Sequence, residues 1–128
     1  MLNFTGAVRI FLATSPVDMR RQIDGLAALV NDVLSQDPFT GHVFVFRGRR
    51  ADRVKLLVWD KNGFVLVYKR LEKSRFRFPD TSSSCRELDS TALTLLLEGL
   101  DLELAARAPR WLPARSARTR ELPPPDRT

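Results

Sequence analysis

At 128 residues, with 44% hydrophobic and 28% charged side chains, the chain is long enough to bury one core and has the composition of a globular domain rather than a fibrous or disordered one. A single cysteine, Cys85, excludes an internal disulfide, no apolar run approaches the roughly 20 residues of a membrane helix, and Arg9 interrupts an N-terminus that lacks a basic leader, so a reducing cytoplasmic setting is expected. The net charge of +6 is concentrated in Phe39 to Pro79, where eleven Lys/Arg face three Asp/Glu, and this footprint points to nucleic acid as the partner.

In chain order, Gly6 to Ala13 alternates Val8, Ile10 and Leu12 with Arg9 and Phe11 and reads as a strand. Thr14-Ser15-Pro16-Val17-Asp18 carries a cap, a proline suited to the first helical position and a carboxylate in the first turn, which predicts a helix from Pro16 to about Ser35. Ile23, Leu26, Ala27, Val30, Val33 and Leu34 supply its apolar stripe.

Three strands follow. His42 to Arg47 is apolar on both faces, as a strand buried on two sides would be. Arg53 to Trp59 alternates, and Phe64 to Leu71 is β-branched and aromatic. Asp60-Lys61-Asn62-Gly63 between them is turn chemistry, because Asn and Gly accept positive φ. A four-residue loop there pairs Trp59 with Phe64, Leu57 with Leu66, Lys55 with Tyr68 and Arg53 with Arg70. A five-residue loop at Gly48 to Asp52 adds Val43, Val45 and Arg47 to that face, leaving Phe44, Phe46, Val54, Leu56, Val58, Val65 and Val67 as the aliphatic core face. On this register Arg47, Arg53 and Arg70 stand abreast, an arrangement that repels itself unless it meets solvent or an anion.

Beyond the strands, Lys73 to Pro79 reads as a short edge strand and Asp80 to Ser84 as a polar loop. Ser90 to Glu98 is a second helix, capped by Asp89 or Ser90 and stopped by Gly99, whose leucines suit burial or docking on a partner. Residues 105–128 read as a flexible basic Pro/Arg-rich tail in which Trp111 is the one aromatic, and residues 1–104 as a single domain.

Chemistry is sparse. There is no glycine-rich phosphate loop, and one His with one Cys makes no ordinary zinc site. His42 reads as structural, and Cys85 sits in a polar loop with no nucleophile motif around it. Asp18, Asp24, Asp52, Asp60 and Glu72 show no spacing that marks a metal centre, so no catalytic residues, metal or cofactor are assigned. The candidate nucleic-acid-binding residues are Arg47, Arg49, Arg50, Arg53, Lys55, Tyr68, Arg70, Lys73, Arg75 and Arg77. Arginine grips phosphate with a planar fork, and Tyr68, Trp59, Phe76 or Phe78 could stack on bases. With no recognition helix in evidence, backbone contact with weak sequence preference is expected.

The runs LATSPVDMRRQIDGLAALV, DPFTGHVFVFRGRRADRVKLLVWDKNGFVLVYKRLEKSRFRFP and LLLEGLDL closely resemble the small accessory protein of bacterial insertion sequences of the number 66 group, labelled TnpB-like or the second open reading frame, and unrelated to the RNA-guided nuclease of that label. The resemblance covers about residues 8 to 102 and stops before the tail. It implies a non-catalytic protein of a bacterial mobile element, assisting a separate transposase that carries the catalytic carboxylates. The expected fold is α+β, ordered β-α-β-β-β-α, with an antiparallel sheet of three to four strands, the first helix on its aliphatic face and a C-terminal second helix. The expected role is DNA binding through the basic end of the sheet. The alternative is a protein adaptor docking on the transposase through the leucine-rich helix, without DNA contact.

Overall fold

The computed structural model describes residues 8–79 and 81–99. The beginning of the first strand at Gly6, Asp80, the 105–128 tail and Trp111 lie outside the described residues. Among the described residues, five strands and two helices form in the order β1 (Ile10–Ala13), α1 (Ile23–Asp32), β2 (Val43–Arg47), β3 (Arg53–Asp60), β4 (Gly63–Arg70), β5 (Cys85–Leu88) and α2 (Ser90–Leu97). The class is α+β, but the sheet is mixed and five-stranded, in the order β4-β3-β2-β1-β5. β1 and β2 run parallel, joined across one face by α1, because a parallel pair needs a crossover rather than a hairpin. Lys73 to Pro79 is not a strand. The edge beyond β1 is taken by β5, which pairs antiparallel from Ile10·Leu88 to Ala13·Cys85.

The β3–β4 register is the expected one, from Arg53·Arg70 through Lys55·Tyr68 and Leu57·Leu66 to Trp59·Phe64. Pairing extends to Asp60·Gly63, so the turn is only Lys61-Asn62, and Lys61 rather than Asn62 or Gly63 takes the left-handed conformation at φ 56. The β2–β3 register differs from expectation by one residue. Gly48 N–H donates to the Arg53 carbonyl at 3.1 Å and Arg47 pairs with Val54, so the loop tip is the four residues 49–52, with Ala51 left-handed at φ 64. A one-residue slip moves a strand's side chains to the other face. Phe44 and Phe46 therefore join Leu57 and Lys55, while Val43, Val45 and Arg47 join Val54, Leu56 and Val58.

Both faces are consequently core. α1 lies on the aromatic face, where Leu26 and Val30 pack on Phe11, Phe44, Phe46 and Leu57. The aliphatic face of Ile10, Leu12, Val43, Val45, Val54, Leu56 and Val58 is covered by Leu93 and Leu96 of α2 and by Phe76. This reverses the expected placement of the first helix. It also commits Leu93 and Leu96 of α2 to the core, while Leu95 and Leu97 pack at its margin and stay half-buried.

α1 begins at Ile23, seven residues later than predicted. Asp18 closes a local turn instead, accepting the Arg20 amide at 2.9 Å while the Arg21 amide donates to its carbonyl at 3.1 Å, a side-chain bond that competes with helix. α2 matches its signals: Asp89 accepts the Ala92 amide at 2.7 Å, and Gly99 follows the helix at φ 80.

Lys55 follows Leu57 onto the α1 face and is buried, 3% exposed. Its ammonium donates to the carbonyls of Met19 and Arg21 at 2.9 and 2.8 Å and so straps the 14–22 connection onto the sheet. Lys55→Met keeps the stem but leaves both carbonyls without this donor. The expected loss is about 1–3 kcal/mol in urea unfolding, with the circular dichroism of the fold retained.

Candidate nucleic-acid interface

Because β1 and β2 are parallel and β4 is parallel to β2, the connections that follow all three strands emerge at one end of the sheet. The 14–22 connection is fixed to the end of β2 there: the Val17 amide donates to the Arg47 carbonyl at 2.8 Å. Gly48 is needed at this crossing, since a Cβ would lie 2.8 Å from Met19 Cγ. The 71–79 segment joins from the other side, with the amides of Leu71 and Phe76 donating to the Asp52 and Ala51 carbonyls at 2.8 and 2.7 Å. An open cleft of about 610 Å³ between the first two connections is lined by Pro16–Arg20, Gly48–Arg50, Asp52 and Arg53.

The nine basic candidates separate into three groups. Arg49 and Arg50 on the loop tip, and Lys73, Arg75 and Arg77 on the 71–79 segment, are exposed and make no ion pair or side-chain hydrogen bond among the described residues. Arg53 is half-buried in the cleft wall; its Nε lies 3.9 Å from Asp52 Oδ1, an ion-pair separation but too long for a hydrogen bond. Arg70 is exposed and held by Glu72 at 2.9 Å, which raises its pKa above the usual guanidinium value. The last group is turned elsewhere. Lys55 is inside the fold. Arg47 points to the aliphatic side, its guanidinium 4.5 Å from the centroid of Phe78, where burial lowers its pKa. Arg47, Arg53 and Arg70 therefore do not stand abreast: the first lies across the sheet from the other two, and those two each have an acid nearby.

Of the aromatic candidates, Tyr68 is 49% exposed, with Lys55 Nζ 5.2 Å from its ring centroid. Phe76 is buried and Phe78 packs against it. Trp59 stands at the opposite end of the sheet, edge-on to Phe39 and Phe64.

Arg20, on the cleft rim, was missed because the sequence places it on a helix face. It binds Asp18 through two guanidinium nitrogens and its amide. The Arg20 side chain, then its backbone amide, hold the Asp18 carboxyl down at about 2. Cys85 opens β5 rather than lying in a loop, and burial, then Glu87, push its thiol up, away from the thiolate a nucleophile needs. His42 accepts the Arg9 amide at Nδ1, 3.0 Å away, a structural role. Among the described residues no three His, Cys, Asp or Glu side chains gather as a metal site.

Residues 8–107 match the family model described as IS66 Orf2-like protein. The chain belongs to this family. Two relatives come from Sinorhizobium fredii (strain NBRC 101917 / NGR234), each described as an uncharacterized protein. y4jC is 38% identical over 117 residues, covering 91% of this chain and all of the relative, and y4hO is 37% identical over 94 residues, covering 73% and 82%. No solved structure matches. Membership carries a transposition-associated accessory role, and the IS66 Orf2-like proteins are not a known catalytic family. None of the helices described in this IS66 Orf2-like protein is long and apolar enough to cross a membrane.

The cleft's electrostatics can be titrated. The folded Asp18 value of about 2 lies below its ordinary 3.8, so its contact with Arg20 favours the folded chain above pH 3.8 and is lost as pH falls through about 2. Side-chain carbon NMR should give Asp18 a midpoint near 2, and Arg20→Ala should move it up towards 3.8.

Proposed function

We propose that this accessory protein binds DNA non-catalytically through the basic end of its sheet, holding the ends of the element or the strand-transfer complex while a separate transposase performs the chemistry. The observation that carries this reading is the set of five exposed, uncommitted cations, Arg49, Arg50, Lys73, Arg75 and Arg77, presented by two connections that hydrogen-bond to each other. Arg53 deepens the same surface from the cleft wall, and Arg70 and Tyr68 extend it along β4. Cations that no carboxylate neutralises suit phosphate, because each phosphate contact releases condensed counterions. Short connections with no helix to enter the major groove favour contact with the backbone over base reading.

Lys55 and Arg47 fall outside the proposed contact set, being spent on two carbonyls and on the Phe78 ring. The adaptor alternative, docking on the transposase without touching DNA, has only the half-buried Leu95 and Leu97 of α2 to use, since Leu93 and Leu96 are in the core.

Gel shifts with element-end and random duplexes across a salt series distinguish the two. Affinity should fall with a log–log slope of about −0.9 per phosphate contacted, and Arg49→Ala/Arg50→Ala should shrink that slope by about two contacts while weakening both duplexes alike. An unchanged slope in the double variant would remove the basic end from the interface. Retention only when transposase is present, insensitive to salt, would favour the adaptor.

A further inference from the structure

We propose that β4 is the edge at which a second copy of this chain adds to the sheet, its β4 running antiparallel about a twofold axis centred on Leu66. β4 is eight residues long and terminates the sheet order, so one of its two edges pairs with no described strand. Its apolar residues Phe64 to Val67 are half-buried although they alternate between the two faces, whereas the equally apolar β2 is sealed on both sides. Long apolar edges are normally blocked by charge, and here Lys69 and Arg70 guard only one end.

The strand is complementary to itself. Centred on Leu66, antiparallel pairing sets Leu66 opposite the partner's Leu66, Val65 opposite the partner's Val67, and Phe64 opposite the partner's Tyr68. These are aliphatic and aromatic pairs of the kind that stabilise neighbouring strands. Lys69 then falls across from the partner's Gly63 and Arg70 across from the partner's Asn62, so neither stands opposite its own copy. In-register parallel pairing would set each base beside itself. Tyr68, 49% exposed on this margin, gains a neighbour in the partner's Phe64, whose ring packs on Trp59 and Phe39. The two basic ends then project from opposite poles of a ten-stranded sheet. Pairing does not rest on the DNA reading; only the consequence, one DNA segment at each pole, does.

Sedimentation equilibrium of the full chain should give the mass of two chains, and Leu66→Lys, which opposes two ammonium groups at the axis, the mass of one with unchanged far-ultraviolet circular dichroism. In a Cys85→Ser background, Leu66→Cys should cross-link under diamide and Val33→Cys, exposed at the end of α1, should not. This pair decides the matter if Leu66→Lys fails to fold. A one-chain mass for the parent at every concentration, a two-chain mass retained by folded Leu66→Lys, or equal cross-linking of both cysteine variants would overturn the proposal. A one-chain parent that lengthens β4 only on binding another protein's extended segment would do the same.

Discussion

The central strands of this protein alternate apolar side chains to both faces, and a sheet so patterned is stable only with a layer on each side. β2 carries phenylalanines to one face and valines to the other, and α1 and α2 are the layers that cover them. Once both faces are sealed, charge has two outlets: the ends of the strands and the β4 edge that pairs with no described strand. Among the described residues Lys55 is the one fully buried cation, accommodated because two carbonyls of the 14–22 connection receive its ammonium. Neutral acceptors of this kind lower the cost of a buried charge, and they make the lysine a strap for the connection that forms one wall of the cleft.

The outlet at the strand ends explains the charge asymmetry of the chain. Three connections meet where β1, β2 and β4 finish, and the basic residues of Phe39 to Pro79 are mostly on or beside them. Their backbones are tied by the Val17–Arg47, Leu71–Asp52 and Phe76–Ala51 hydrogen bonds. The cations are thus carried on a braced frame rather than on separate loose loops, which lowers the ordering cost of binding an extended anion. Membership of the IS66 Orf2-like family supplies the transposition setting for the proposed DNA contact.

How much of this was legible varied with how local the signal was. The β3–β4 hairpin could be read because its turn is two residues beyond Asp60 and its strands are of equal length. α2 could be read because Asp89 and Gly99 act on their immediate neighbours. The β2–β3 register could not: a strand apolar on both faces looks the same after a one-residue slip, and only the Gly48·Arg53 closure decides it. That slip removed Arg47 from the expected arginine row. β5 was invisible because Cys-Arg-Glu-Leu has little strand pattern of its own and is defined by pairing with β1. The start of α1 misled because Ser15, Pro16 and Asp18 are helix-start residues that here precede the helix, Asp18 closing a turn instead. Of the site, the loop-tip and 71–79 cations were legible as charge, whereas Lys55 and Arg47 were not, since their fate depends on what packs over them.

In the proposed complex, DNA meets the end of the sheet where these connections converge. Amide chemical-shift mapping of isotopically labelled protein with a short duplex tests it most directly. The shifts of Arg49 to Arg53 and Lys73 to Arg77 should move together as duplex is added, with Phe39, Trp59 and Lys61 at the far end unchanged. Shifts confined to that far end, or none at a salt concentration where DNA is retained, would contradict it.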